Sequence, residues 1–128
     1  MTLSRRRFLV SSLLAPTVAE GFRLHADMGS GLVEVELEAT QSWQAIGGRQ
    51  AFLYAYNNRV PGPVIEARSG DTLRVHFTNN LPEETNLHFH GLHAPPTGNA
   101  DNAFLMIPPG ESNSYEIAIP KNHPAGTL

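Results

Sequence analysis

Cysteine is absent from the 128 residues. No disulfide can staple the chain, so burial alone must hold it. No thiolate is available either, which excludes cysteine nucleophiles and the Cys ligand of a blue-copper electron-transfer site. Positive charge is scarce as well. Nine Lys and Arg stand against twelve Asp and Glu, and three of the nine are Arg5, Arg6 and Arg7. Past residue 19 the chain therefore carries six basic and twelve acidic groups, a net of −6. An acidic domain without a basic stripe is unsuited to nucleic acid. No stretch approaches the ~18 uncharged apolar residues of a membrane span. Helical periodicity is missing throughout. What remains is a chain 41% hydrophobic and 16% charged, too apolar and too weakly charged for disorder. Its length favours one domain. Eleven Gly and ten Pro suit many turns between short strands.

Residues 1–19 read as an address. Ser4-Arg5-Arg6-Arg7-Phe8-Leu9-Val10 sets a basic cluster before an apolar run, followed by Pro16 and small residues ending at Ala19. This is the order of an export signal. The Ser-Arg-Arg-x-Phe-Leu spelling resembles the twin-arginine class. The expectation is a periplasmic or secreted protein, cleaved after Ala19 or Ala26, with no membrane contact once the signal is gone. Residues 20–30 read as a linker, and 31–128 as the folded domain.

Within that domain Leu32 to Glu38 alternates apolar and acidic residues, the period-2 signature of a half-buried strand. Gln50 to Tyr56 is a second candidate, ended by Asn57-Asn58, a pair tolerant of positive φ. Val64-Ile65 is a short extended piece. Leu73, Val75 and Phe77 alternate with Arg74, His76 and Thr78. Asn86 to Leu92 is a further candidate strand. Pro108-Pro109-Gly110 turns the chain into Tyr115, Ile117 and Ile119, again spaced by two. Such strands, separated by turn signals, predict an all-β antiparallel sandwich or Greek-key barrel. At the end, Pro124 to Leu128 reads as a turn feeding another strand, so the fold is expected to be incomplete there or to finish in a frayed tail.

Asn86-Leu87-His88-Phe89-His90-Gly91-Leu92-His93 is the one stretch dense in metal-competent groups. On a strand, residues i and i+2 share a face, so His88 and His90 would present two imidazoles together while Leu87 and Phe89 turn inward. Neutral imidazole suits copper and zinc. The pattern equally fits two exposed histidines on a wet strand face. Two ligands are fewer than a zinc or redox copper site requires. No obvious third exists: His76 reads as a surface residue, His93 faces away from His90, and His25 and His123 read as spectators. The pair looks like half of a site.

Tyr56-Asn57-Asn58-Arg59-Val60-Pro61-Gly62-Pro63-Val64-Ile65, then Gly70-Asp71-Thr72-Leu73-Arg74-Val75, resembles the opening of the first cupredoxin domain of multicopper oxidases, the laccase-like enzymes. Leu87 to His93 resembles their first His-x-His-Gly motif. Ile107-Pro108-Pro109-Gly110-Glu111-Ser112 with Tyr115-Glu116 resembles their Pro-Gly-Glu turn and strand, and His123-Pro124-Ala125-Gly126-Thr127 the approach to a second motif, which lies past Leu128. The resemblance implies a cupredoxin-like sandwich and a copper-dependent oxidase. Such an enzyme couples one-electron oxidation of a donor substrate to reduction of dioxygen to water. It makes His88 a ligand of the type 2 copper and His90 a ligand of the type 3 pair. Asp101 then lies near the trinuclear cluster, where it would tune bound water or relay protons. Read alone, Asp101 also fits a turn or cap. The type 1 copper, its Cys and the other cluster histidines belong to later domains of the family, so no turnover is expected from this piece alone. The donor substrate is not legible.

Three other functions fit parts of the pattern. A small exported copper- or zinc-binding module without redox activity would hold one metal per chain. Alpha-type carbonic anhydrases also carry a His-Phe-His strand, but no third strand histidine follows here. A relative that had lost its copper would not need both His88 and His90.

Overall fold

Along the strand Leu32–Ile46 the odd-numbered residues Val33, Val35, Leu37 and Ala39 are buried while Glu34 and Glu36 face water. That single alternation orients the fold. The computed structural model describes residues 31–126 together with the strand Arg23–Leu24. The expected export signal, residues 1–19, lies outside the described residues, as do Thr127 and Leu128. Six strands follow in chain order: β1 Arg23–Leu24, β2 Leu32–Ile46, β3 Arg49–Tyr56, β4 Val64–Ile65, β5 Thr72–Asn79 and β6 Ser112–Ala118. No helix occurs among the described residues.

Four strands form one sheet in the order β3-β2-β5-β6. Outer pairs β2–β3 and β5–β6 are antiparallel, whereas β2 and β5 run parallel, Leu32 opposite Thr72 through Ala39 opposite Asn79. The expectation of an antiparallel sheet is corrected at this central pairing. β1 and β4, also parallel, make a separate two-stranded piece, so part of the stretch read as a linker is paired.

β2 reaches well past the acidic alternation that announced it. Its second half folds back on β3 through Gly47-Gly48, both at positive φ, the geometry a two-residue hairpin with the sheet's twist demands. The Asn57-Asn58 turn behaves as its residue types require. Both have positive φ (50° and 56°), and Arg59 N–H donates to the Tyr56 carbonyl across the pair. Asn57 also ties the turn to β2: its Oδ1 accepts the Glu38 N–H and its Nδ2 donates to the Glu36 carbonyl.

The registers place Val33, Leu73 and Ile117 in one row across the sheet and Val35, Val75 and Tyr115 in the next. Phe77, Tyr115 and Ile117 are fully buried. Irregular chain covers this face: Leu81, Leu87, Ala100 and Ile107 close over the core, with Phe89, Leu92 and Leu105 packed beside them. The opposite face is polar. There Arg74 bridges Glu34 and Glu116, each at 2.9 Å, in the row where the three strands align. The Arg74 and His76 hydrogen bonds hold the Glu34 carboxyl below the usual range. Farther along, the core face runs out from under its cover: Trp43 stacks on Phe52 at 5.4 Å with both rings more than half exposed.

Asn79, fully buried at the end of β5, turns the chain into the covering segment. Its Nδ2 donates to the Glu83 and Ile107 carbonyls and its Oδ1 accepts the Leu81 N–H. Asn79→Ala leaves these groups unpaired and is expected to lower stability by about 2–4 kcal/mol, read as a fall in the urea midpoint at unchanged m. Glu34, with its carboxyl depressed in the folded state, contributes above the usual carboxylate range and loses that contribution as pH falls through the depressed value. Glu34→Gln is therefore expected to lower stability slightly in the neutral range, where that contribution is present, and to flatten the acid side of the stability–pH curve below about pH 4.

Candidate metal centre

Residues 86–92 do not form the expected strand. Only Thr85 is bridged, to Ile107, and the chain beyond it is irregular, without a neighbouring strand, and turns at 90–91. The alternation nevertheless holds. Leu87 is buried and Phe89 half-buried against the core, while His88 and His90 project outward. Hydrophobic anchoring orients the imidazoles where a ladder was expected to.

The backbone donors of this segment still need partners, because an unpaired N–H at a core boundary costs about 1–3 kcal/mol. In extended chain the N–H groups of alternate residues point the same way. Side chains meet both of them. The Leu87 N–H donates to the Tyr115 hydroxyl (2.9 Å) and the Phe89 N–H to Asp101 Oδ1 (3.0 Å). Tyr115 reaches there from the core face of β6, its ring edge-on to both Phe77 and Phe89. Burial pushes its hydroxyl above the usual tyrosine range, with the Leu87 N–H pulling partly the other way. Asp101 comes from the 95–105 loop, which is tied to the edge of β6 by the Glu116 N–H to Asn99 carbonyl bond.

Asp101 Oδ1 has a second donor, His88 Nδ1, at 2.8 Å. A carboxylate only accepts, so the ring proton sits on Nδ1 and the Nε2 lone pair points away from Asp101. A carboxylate behind an imidazole is the arrangement that fixes a metal-binding tautomer and raises ligand basicity. The Asp101 side chain is 12% exposed against 49% for His88, so the orienting group is shielded and the imidazole is open. The His90 ring lies 4.8 Å from the His88 ring at 65°. The two imidazoles are thus adjacent, and Asp101 stands behind the first.

The pair suits copper or zinc in donor type and falls short in number. Among the described residues, no group of three or more His, Cys, Asp or Glu side chains is arranged to hold a metal. His76 is on the polar face of β5, bonded to Ser114 and Glu34, as its surface reading predicts. His93 is exposed and turned toward His123. The His123 side chain is buried, which its proline-flanked position does not announce. His25 lies outside the described residues. Sequence reasoning also passed over Tyr115 as a partner for this segment. The available signal was its phase: it is the aromatic residue with a polar tip in the inward register of β6.

A multicopper oxidase family model matches residues 38–128. Laccase-2 of Cryptococcus neoformans var. grubii is 38% identical over 99 residues, 74% of this chain and 16% of that protein. Dihydrogeodin oxidase of Aspergillus terreus is 40% identical over 92 residues, 67% of this chain and 15% of that protein. Among solved structures, a multicopper oxidase from Campylobacter jejuni described as a metallo-oxidase superposes with a TM-score of 0.66 at 31% identity. It covers 77% of this chain and 21% of its own. The chain spans about a sixth of the length of the curated relatives it matches. The all-β, cupredoxin-like expectation agrees with these neighbours.

Two substitutions test the assembly. Tyr115→Phe keeps the ring and removes the acceptor for Leu87; a loss of about 1–3 kcal/mol is expected, checked by thermal and denaturant unfolding. Asp101→Ala frees His88, and the imidazole 15N spectrum should change from a single Nδ1–H tautomer to a tautomer mixture.

Proposed function

Because the chain belongs to the multicopper oxidase family, we propose that it contributes His88 and His90 to a copper cluster completed by other domains of the family architecture. The copper would supply one-electron redox chemistry and a binding site for dioxygen. The observation that carries this reading is the adjacent imidazole pair, with Asp101 directing His88 Nε2 outward. In the family pattern His88 serves the type 2 copper and His90 the type 3 pair. The activity of the whole would be oxidation of a donor substrate coupled to reduction of dioxygen to water.

The chain's own residues have separable tasks. Leu87 and Phe89 anchor the segment in the core, and Tyr115 and Asp101 satisfy its backbone. Asp101 also holds the His88 proton at Nδ1. From that place its carboxylate can exchange a proton with a neighbouring water, the relay role the family resemblance assigns it. The arginine-led signal at residues 5–7 supports an exported, periplasmic or secreted setting.

Copper(II) titration of the 128-residue chain, followed by electron paramagnetic resonance, tests the assignment. Two imidazole nitrogens and a dissociation constant weaker than about 1 μM are expected of a half-site. His88→Ala with His90→Ala should abolish the signal while the chain stays folded. Stoichiometric sub-micromolar binding would favour the self-contained copper or zinc module instead.

A further inference from the structure

The turn that follows His90 is held by a residue with no part in the reading above. Gly91 adopts φ +75°, and the chain reverses before Ala94, whose N–H donates to the nearby Leu92 carbonyl. Among the described residues, the hydrogen bond tying this turn to the rest of the fold runs from the His93 N–H to His123 Nε2, at 3.2 Å. The His123 side chain is buried although its chain neighbours Asn122 and Pro124 are exposed. An aliphatic residue would fill such a space but offer the His93 N–H no acceptor; His123 instead uses both ring nitrogens. Nδ1 donates to the Pro124 carbonyl at 2.8 Å. Nε2 can accept only if the proton is on Nδ1, so the two contacts define one tautomer between them.

His123 is itself fixed in three ways. Its N–H donates to the Pro120 carbonyl, closing the turn after β6. Its carbonyl accepts the Ser69 hydroxyl at 2.8 Å, from the turn before β5. Its ring lies 4.9 Å from that of His93 at 56°. Three turns, at 68–71, 90–94 and 120–124, therefore meet at one residue, the first at its carbonyl and the second at its ring, and the first and last are tied together beside β5 and β6 through the Gly70–Ile119 and Ile119–Asp71 backbone bonds.

We propose that His123 is a positioning residue for the candidate copper site: by accepting the His93 N–H it fixes the turn after His90, and with it the direction of the His90 imidazole. The upstream side of the pair is fixed by Tyr115 and Asp101, and His123 is their counterpart downstream. This inference rests on the reading of His88 and His90 as copper ligands.

Two substitutions of similar size separate positioning from simple space-filling. His123→Gln can keep an acceptor near the Nε2 position, whereas His123→Asn can keep a donor near Nδ1 and loses the acceptor. Amide hydrogen exchange at His93 in the metal-free chain and copper(II) affinity by titration are the readouts. His123→Gln should retain His93 protection and near-native affinity. His123→Asn should lose the protection and weaken copper(II) binding about tenfold, the usual scale for residues that orient a ligand. Equal effects of the two variants on both readouts would overturn the inference. So would an Nε2–H tautomer for His123 in the 15N spectrum of the unsubstituted chain, a measurement independent of whether either variant folds. The His88→Ala, His90→Ala chain separates the levels. If it binds copper(II) like the unsubstituted chain, the ligand assignment itself fails. If it does not bind while His123→Asn binds normally, only the positioning role fails.

Discussion

A segment with no strand beside it must find acceptors for its own N–H groups, and the candidate site follows from how this one does so. Tyr115, Asp101 and His123 each present a side-chain acceptor to the backbone around the two histidines. A neighbouring strand would have satisfied the same donors with carbonyls, but it would also have occupied the edge and the space beside the rings. Side-chain acceptors leave the rings open, and one of them, Asp101, sets a ring proton as well. Satisfying the backbone and orienting the imidazole are here one interaction.

The sheet makes this possible by supplying rigid origins for those side chains. Tyr115 stands in the best-packed row of the core, between Val75 and the covering loop, and so has little freedom to withdraw its hydroxyl. Asn79 performs the corresponding service at the corner where β5 gives way to irregular chain, converting a strand end into a hub of three hydrogen bonds, two of them buried. Because Leu87 and Phe89 belong both to the core and to the segment that carries His88 and His90, core packing and imidazole direction are mechanically the same variable. Dislodging either side chain would turn His88 and His90 as it did so.

Much of this was legible beforehand because period-2 alternation survives wherever one face is buried. The inward phases of β2, β5 and β6 are those predicted, and His88 and His90 share a side as their spacing requires. The strand expected over 86–92 failed for an instructive reason. Alternation reports which side chains are buried and carries no information about whether a neighbour supplies hydrogen bonds. The parallel β2–β5 pairing was invisible because its partners lie about forty positions apart, and no local turn chemistry marks a long-range crossover. The second half of β2 was missed although Gly47-Gly48 is a hairpin signal; residues 40–45 are too polar to announce a strand. The burial of His123 was not legible because a proline-flanked loop normally lies at the surface, and it is the three-turn junction that buries it.

The uncovered end of the core face carries a practical corollary. Trp43 is the sole tryptophan of the chain, and it stands on the β2–β3 hairpin, 67% exposed, away from the residues that pack the interior. Its indole emission would therefore report on whatever lies against that hairpin and be nearly blind to melting of the interior around Phe77 and Tyr115. A tyrosine-based or amide-based probe is the one that sees the core, and disagreement between the two signals would reflect where the indole sits before it implied any intermediate.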